Sequence, residues 1–245
     1  MSTNLKKQKT TEKVTEIQIG EKTNLVVSNK KENYLLEVFV FIISISLATL
    51  LTYCSQYLTV FSNILERRIF QCLIYVGFIV LALISLALIG EFKSLKIEKR
   101  YLFLNILYGL LIALLFTFFI GLLPLLINSG DRNVLVIDLD AIGFKLIFDV
   151  IFVGFGEELF FRGYLLRQFR KWFKHYDFFA PLVVGLIFGL WHLINGSWQQ
   201  MIITSLLGVS FGYLVYYLKH CNWLSVSLGH GIYNFLLYTI NYLPL

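Results

Sequence analysis

Three short groups of polar residues lie inside otherwise apolar stretches in the second half of the sequence. In chain order they are Glu157 with Glu158 and Arg162, then His192, then His230 with Asn234. A charge at the centre of a bilayer costs at least about 2.5 kcal/mol on insertion scales, so polar groups in such stretches mark function by default. These six residues are therefore the candidates for chemistry.

Helical spacing separates the two adjacent carboxylates. Glu158 and Arg162 stand four positions apart, so on a helix they share a face and can form an ion pair. Glu157 is turned about 100° away from Glu158 on the same helix. We therefore predict that Glu158 is held by Arg162 and that Glu157 is left for another partner. His230 and Asn234 also share one helix face.

A carboxylate and two imidazoles that meet in a protein interior suit a hydrolytic site. Glu157 can take a proton from water as general base, alone or across a metal, and His192 can hold the same water or bind that metal. His230 and Asn234 can donate hydrogen bonds to an oxyanion. A divalent metal such as zinc, held by Glu157, His192 and His230, is one option that the residues leave open.

Composition indicates that the bilayer is the solvent of this chain. Hydrophobic residues make up 58% and charged residues 15%, against roughly 25% charged in an ordinary soluble domain. Since every backbone N–H in hydrocarbon needs an internal partner, the apolar runs must be helices. The prediction is an all-α polytopic membrane protein of about seven transmembrane helices, with the catalytic site among the last four. The runs cover about 34–54, 69–90, 102–127, 141–161, 178–195, 201–218 and 224–243.

The distribution of basic residues predicts the orientation. Residues 1–33 hold seven Lys and four Glu, which predicts a flexible cytoplasmic tail ahead of a transmembrane domain at 34–245. Alternate connections between the runs are basic, so we expect a multi-pass protein of the cell membrane with a cytoplasmic amino terminus. The net charge of +6 is spread over these connections and not along one face, which argues against a nucleic-acid partner. The fourth run also predicts a basic, amphipathic extension at the membrane surface.

The three motifs together resemble the CAAX-protease and bacteriocin-processing (Abi) family of intramembrane endopeptidases. That family's pattern is Glu-Glu-x-x-x-Arg, then Phe-x-x-x-His, then His-x-x-x-Asn or Asp, and the sequence has all three in order within 141–240. The resemblance implies that Glu157 and His192 activate water, that His230 and Asn234 bind the oxyanion, and that the remaining Glu and Arg support them. It implies a peptide or membrane-protein substrate.

Other interpretations of these residues stay open. A single His or Asn inside a membrane is more often an interhelical hydrogen-bond partner than a catalyst. The alternative to a protease is therefore a non-catalytic membrane protein, either an immunity protein that binds a bacteriocin or a proton-linked carrier that uses Glu157 as a relay. Members of the resembled family remove a tripeptide from prenylated proteins, mature peptides or pheromones, give bacteriocin self-immunity, or regulate the envelope.

Overall fold

The computed structural model describes residues 34–124 and 139–242, and every regular element in those ranges is helical. The chain divides into two units, Met1–Ile43 and Ser44–Leu245, and the described part of the first unit is helical. The predicted tail at 1–33 lies outside the described residues. The helices are α1 (34–54), α2 (Ile64–Leu88), α3 (Leu102–Phe116, extended by a π-helical turn Thr117–Leu122), α4 (139–173), α5 (Ala180–His192), α6 (Trp198–Tyr217) and α7 (Trp223–Tyr242).

The prediction of an all-α polytopic membrane protein is confirmed. Within the described ranges, four helical segments are long and apolar enough to cross a membrane, namely Tyr34–Val60, Ile64–Leu88, Phe92–Leu122 and Trp198–Tyr217. They expose large apolar side chains, for example Phe103 at 77% and Leu114 at 61%, as lipid-facing helices do. Because α5 has only 13 residues and α4 carries several charges, the count of seven spans stays a prediction.

Helix α4 carries the two adjacent carboxylates between two widened turns. Its segment Phe155–Glu158 is α-helical, and the flanking segments Phe148–Gly154 and Leu159–Leu165 are π-helical. Such π-helical insertions are frequent at functional sites, because they change which side chains share a face. The helix then continues without a break to Phe173, in agreement with the predicted amphipathic extension.

Helix α7 packs between α3 and α4 through the two glycines that flank His230. A Cβ on Gly229 would lie 2.6 Å from Cγ2 of Ile112 on α3, and a Cβ on Gly231 would meet the backbone of α4 at Asp149. Small residues allow this close approach of helices in membranes, where packing provides much of the attraction. His230 is thereby placed against α4, which carries Glu157 and Glu158.

Helices α5 and α6 form a second close pair. Gly185 of α5 and Gly208 of α6 face each other, and neither has room for a side chain. At the far end of α5, the Trp191 indole donates to Thr52 Oγ1 at 2.6 Å, so the end of α1 is tied to the helix end that carries His192. The position of His192 therefore depends on three helices.

Candidate active site

A cavity of about 690 Å³ contains all four residues to which the sequence assigns catalysis. Glu157, His192, His230 and Asn234 all line it. These residues lie on α4, α5 and α7, as predicted, but the walls are wider than predicted. They include residues of the first three helices and the turn after α1, among them Thr52, Ser55, Leu58, Gln71, Ile74, Tyr75, Phe78 and Ile120. The four candidate residues lie among the last four helices, and α1, α2 and α3 add further walls to the cavity.

Glu158 is the centre of a fully buried polar network. Its Oε1 accepts from Arg162 Nη1 at 2.8 Å and from His230 Nδ1 at 2.9 Å, and the side chains of Glu158 and Arg162 are both 0% exposed. Arg162 also donates from Nη2 to the carbonyl oxygen of Gly208 at 2.8 Å. The predicted Glu158–Arg162 pair is confirmed, and its further contacts attach α4 to α6 and α7.

Glu157 faces the cavity and has no such cation. Its Oε2 is buried without a hydrogen-bond partner among the described residues and lies 4.0 Å from His230 Nε2. Tyr75 of α2 lines the same cavity as Glu157. The packing of Gly156 against the Tyr75 backbone brings the two together. Helix geometry therefore separates the two carboxylates as predicted.

His192 is oriented by its own helix. Its Nδ1 lies 2.9 Å from the carbonyl oxygen of Phe188, one turn earlier. Because a carbonyl only accepts, Nδ1 carries the proton and Nε2 is left with a lone pair. The Phe188 ring lies under the Arg162 guanidinium, with 4.7 Å between its centroid and the guanidinium carbon. Phe188 thus links the His192 motif to the buried ion pair.

Comparison with protein families gives one match. Residues 141–236 match the family described as type II CAAX prenyl endopeptidase Rce1-like. The match covers less than half of the chain. The resemblance read from the three motifs is confirmed, and so is the expectation of a membrane protease of the CAAX type. Comparison with curated proteins and with solved structures gives no match.

Two polar residues of the Rce1-like segment were missed in the sequence. Lys145 Nζ pairs with Asp149 Oδ1 at 2.7 Å, and both line the cavity. The second oxygen of Asp149 is buried without a partner among the described residues. A Lys and an Asp four apart in an apolar run gave the same signal as Glu158 and Arg162. Tyr75, by contrast, gave none, since tyrosines are frequent along the chain.

Glu157, His192 and His230 are the residues that the sequence offers as metal ligands. Within the part of the chain that the structure describes, no group of three His, Cys, Asp or Glu side chains is arranged to hold a metal ion. His230 Nδ1 donates to Glu158, and its Nε2 lies 4.0 Å from Glu157 Oε2. The steps considered below use water and side chains only.

Proposed function

We propose that this membrane protease hydrolyses a peptide bond in small hydrophobic or membrane-associated peptides, with Glu157 as general base. The observation that carries the proposal is a Glu157 oxygen without a hydrogen-bond partner among the described residues, in a cavity that His192 also lines. The cavity has the size of typical small-ligand sites, and most of its walls are apolar. Such walls favour apolar peptide side chains.

In the first step, Glu157 removes a proton from a water molecule that also donates a hydrogen bond to His192 Nε2. The water oxygen attacks the peptide carbonyl carbon, and the carbonyl oxygen takes the negative charge. Asn234, whose amide lines the same cavity, donates to that oxygen together with His230. Since His230 Nδ1 already donates to Glu158, donation from Nε2 requires a ring that carries both protons.

In the second step, Glu157 returns the proton to the leaving nitrogen as the carbon–nitrogen bond breaks. The products are a peptide carboxylic acid and an amine, and Glu157 ends in its starting state. The acid then passes its proton to the amine or to solvent and leaves as a carboxylate. Glu158 and Arg162 take no part in proton transfer in this scheme, because each is held in a charged pair. Their role is to fix His230 and the α4 backbone beside Glu157.

We further propose a cytoplasmic amino terminus in the cell membrane, supported by the basic connections. Reporter fusions after residues 98 and 174 should then report from the cytoplasm, and a fusion after 198 from outside. A result in which positions 98 and 174 both report from outside would reverse the orientation. The order of the catalytic helices would be unaffected.

Peptide cleavage by the purified protein tests the function directly. The protein in detergent is incubated with peptides secreted by its own source, and products are identified by mass spectrometry. We expect cleavage between apolar residues, and we expect none with the Glu157→Gln variant at equal concentration. Binding of a peptide without cleavage by the unchanged protein would favour the immunity alternative. Proton transport without cleavage would favour the carrier.

A further inference from the structure

A second pocket, of about 390 Å³, lies beside the end of α4, near the start of α5 and the last turns of α6. Its walls carry four cations, Arg162, Arg167, Arg170 and Lys171, and Asp177 is the acid among its lining residues. The pocket is separate from the catalytic cavity, and none of the candidate catalytic residues lines it. Its charge predicts an anionic ligand.

The hydrogen bonds around this pocket leave donors without acceptors. Nε of Arg162 and Nε of Arg167 are both buried with no acceptor among the described residues. The whole Arg162 side chain is 0% exposed. Nη2 of Arg167 donates to the carbonyl oxygen of Ser94 at 3.1 Å. Buried donors are nearly always paired in folded proteins. An arginine N–H without an acceptor is a group that a phosphate oxygen can satisfy.

The other two cations of the wall form ion pairs with acids at the protein surface. Arg170 Nε is 3.3 Å from Asp177 Oδ2, and Lys171 Nζ is 3.9 Å from Glu91 Oε1. Both basic side chains are substantially exposed, at 44% and 46%. Exposed pairs of this kind contribute little stability, so an incoming anion can share these cations at small cost.

The surroundings identify the source of the anion. Leu166 and Val215 give the pocket an apolar wall beside its charges. Helix α4 at this end interleaves its basic residues with Phe169, Trp172 and Phe173, a pattern typical of helices at a membrane surface. Basic pockets between membrane helices bind anionic lipid headgroups. A free phosphate would use the cations but not the apolar wall. We propose that this pocket binds the phosphate headgroup of an anionic phospholipid.

Lipid titration of the purified protein tests this site. The protein in neutral detergent is titrated with short-chain phosphatidylglycerol, with phosphatidylcholine of the same chains, and with inorganic phosphate, and bound molecules are counted by native mass spectrometry. We expect one tightly held phosphatidylglycerol and clearly weaker binding of the other two. The double variant Arg170→Gln with Lys171→Gln should weaken phosphatidylglycerol about 30-fold, from about 1 kcal/mol for each basic side chain.

The matched control is Lys99→Gln with Arg100→Gln, which removes two exposed charges outside the pocket. It should change the affinity less than about threefold, since distant exposed charges are screened. A third variant, Asp177→Asn, removes the acid from the wall and should tighten phosphatidylglycerol binding whether or not the double variant folds well. Equal losses in the two double variants would mean diffuse attraction and overturn the site. Inorganic phosphate that binds as tightly as the lipid would overturn the lipid as its occupant.

Discussion

Two neighbouring carboxylates lie on different faces of α4 and have different surroundings. On one face, Glu158 accepts from Arg162 and His230 and is completely buried between α6 and α7. On the other, Glu157 lines the cavity and forms no ion pair with Lys or Arg among the described residues. A carboxylate fixed by a cation is a poor proton acceptor, whereas a cavity-facing carboxylate can take a proton from bound water. Two adjacent residues on one helix, Glu158 and Glu157, can therefore serve as a structural residue and as a general base.

Replacement of the cavity-facing carboxylate should have the largest effect on rate. Glu157→Gln keeps the shape and removes the base, so we expect peptide cleavage to fall by at least about 10²- to 10⁴-fold. The melting temperature in the same detergent should change little, because Glu157 holds no ion pair with Lys or Arg in the described structure. Glu98→Gln, at an exposed carboxylate, is the control and should keep its activity. An active, folded Glu157→Gln protein would exclude Glu157 as the base.

On the supporting face, the expected effect is on stability. Glu158→Gln leaves Arg162 charged in the interior, and loss of one partner of a buried pair costs about 3–5 kcal/mol. The variant should melt at a lower temperature and accumulate poorly, and its activity should be reduced. Combining it with Arg162→Met removes the orphaned charge and should restore part of the melting temperature. Unchanged melting of Glu158→Gln alone would show that the pair is not a structural requirement.

The oxyanion assignment predicts an effect on turnover and not on binding. Asn234→Ala removes one donor that matters most when negative charge develops, so kcat should fall about 10²- to 10³-fold. KM should stay near its original value, as measured on the same peptide. His230→Ala should lower kcat as well but also disturb Glu158, which makes Asn234 the cleaner test. A change confined to KM would assign Asn234 to substrate binding.

The smallest effect on stability is expected at Gly154, where α4 contacts α7. A Cβ at Gly154 would clash with the backbone oxygen of Ser227 on α7, so Gly154→Ala should cost about 1–3 kcal/mol through overpacking. Gly143→Ala, on the same helix with nothing within 4 Å of the added carbon, is the matched control and should not lower the melting temperature. Equal melting temperatures for the two variants would show that α4 and α7 can separate freely at this point.

Local spacing accounts for the parts of the site that could be predicted. Four-residue separations placed Glu158 with Arg162, and His192 with the Phe188 carbonyl, because those pairs lie within one helix whatever surrounds it. The run of apolar residues determined the helical class in the same way, since hydrocarbon leaves the backbone no other partner. The continuation of the fourth run into a basic amphipathic helix also follows from the order of residues alone.

Packing between distant segments decided the rest. His230 was predicted to share a face with Asn234, but only the approach of α7 to α4 could put its Nδ1 on Glu158. Tyr75 lines the same cavity as Glu157 because Gly156 leaves room for the backbone of α2. The cavity also has walls from α1 to α3 because those helices pack close to α4, α5 and α7. The sequence by itself determined the membrane helices and which side chains share a helix face, because both follow from backbone hydrogen bonding and helical period. Which faces meet was decided only by the tertiary structure, since that depends on where glycines let separate helices come close.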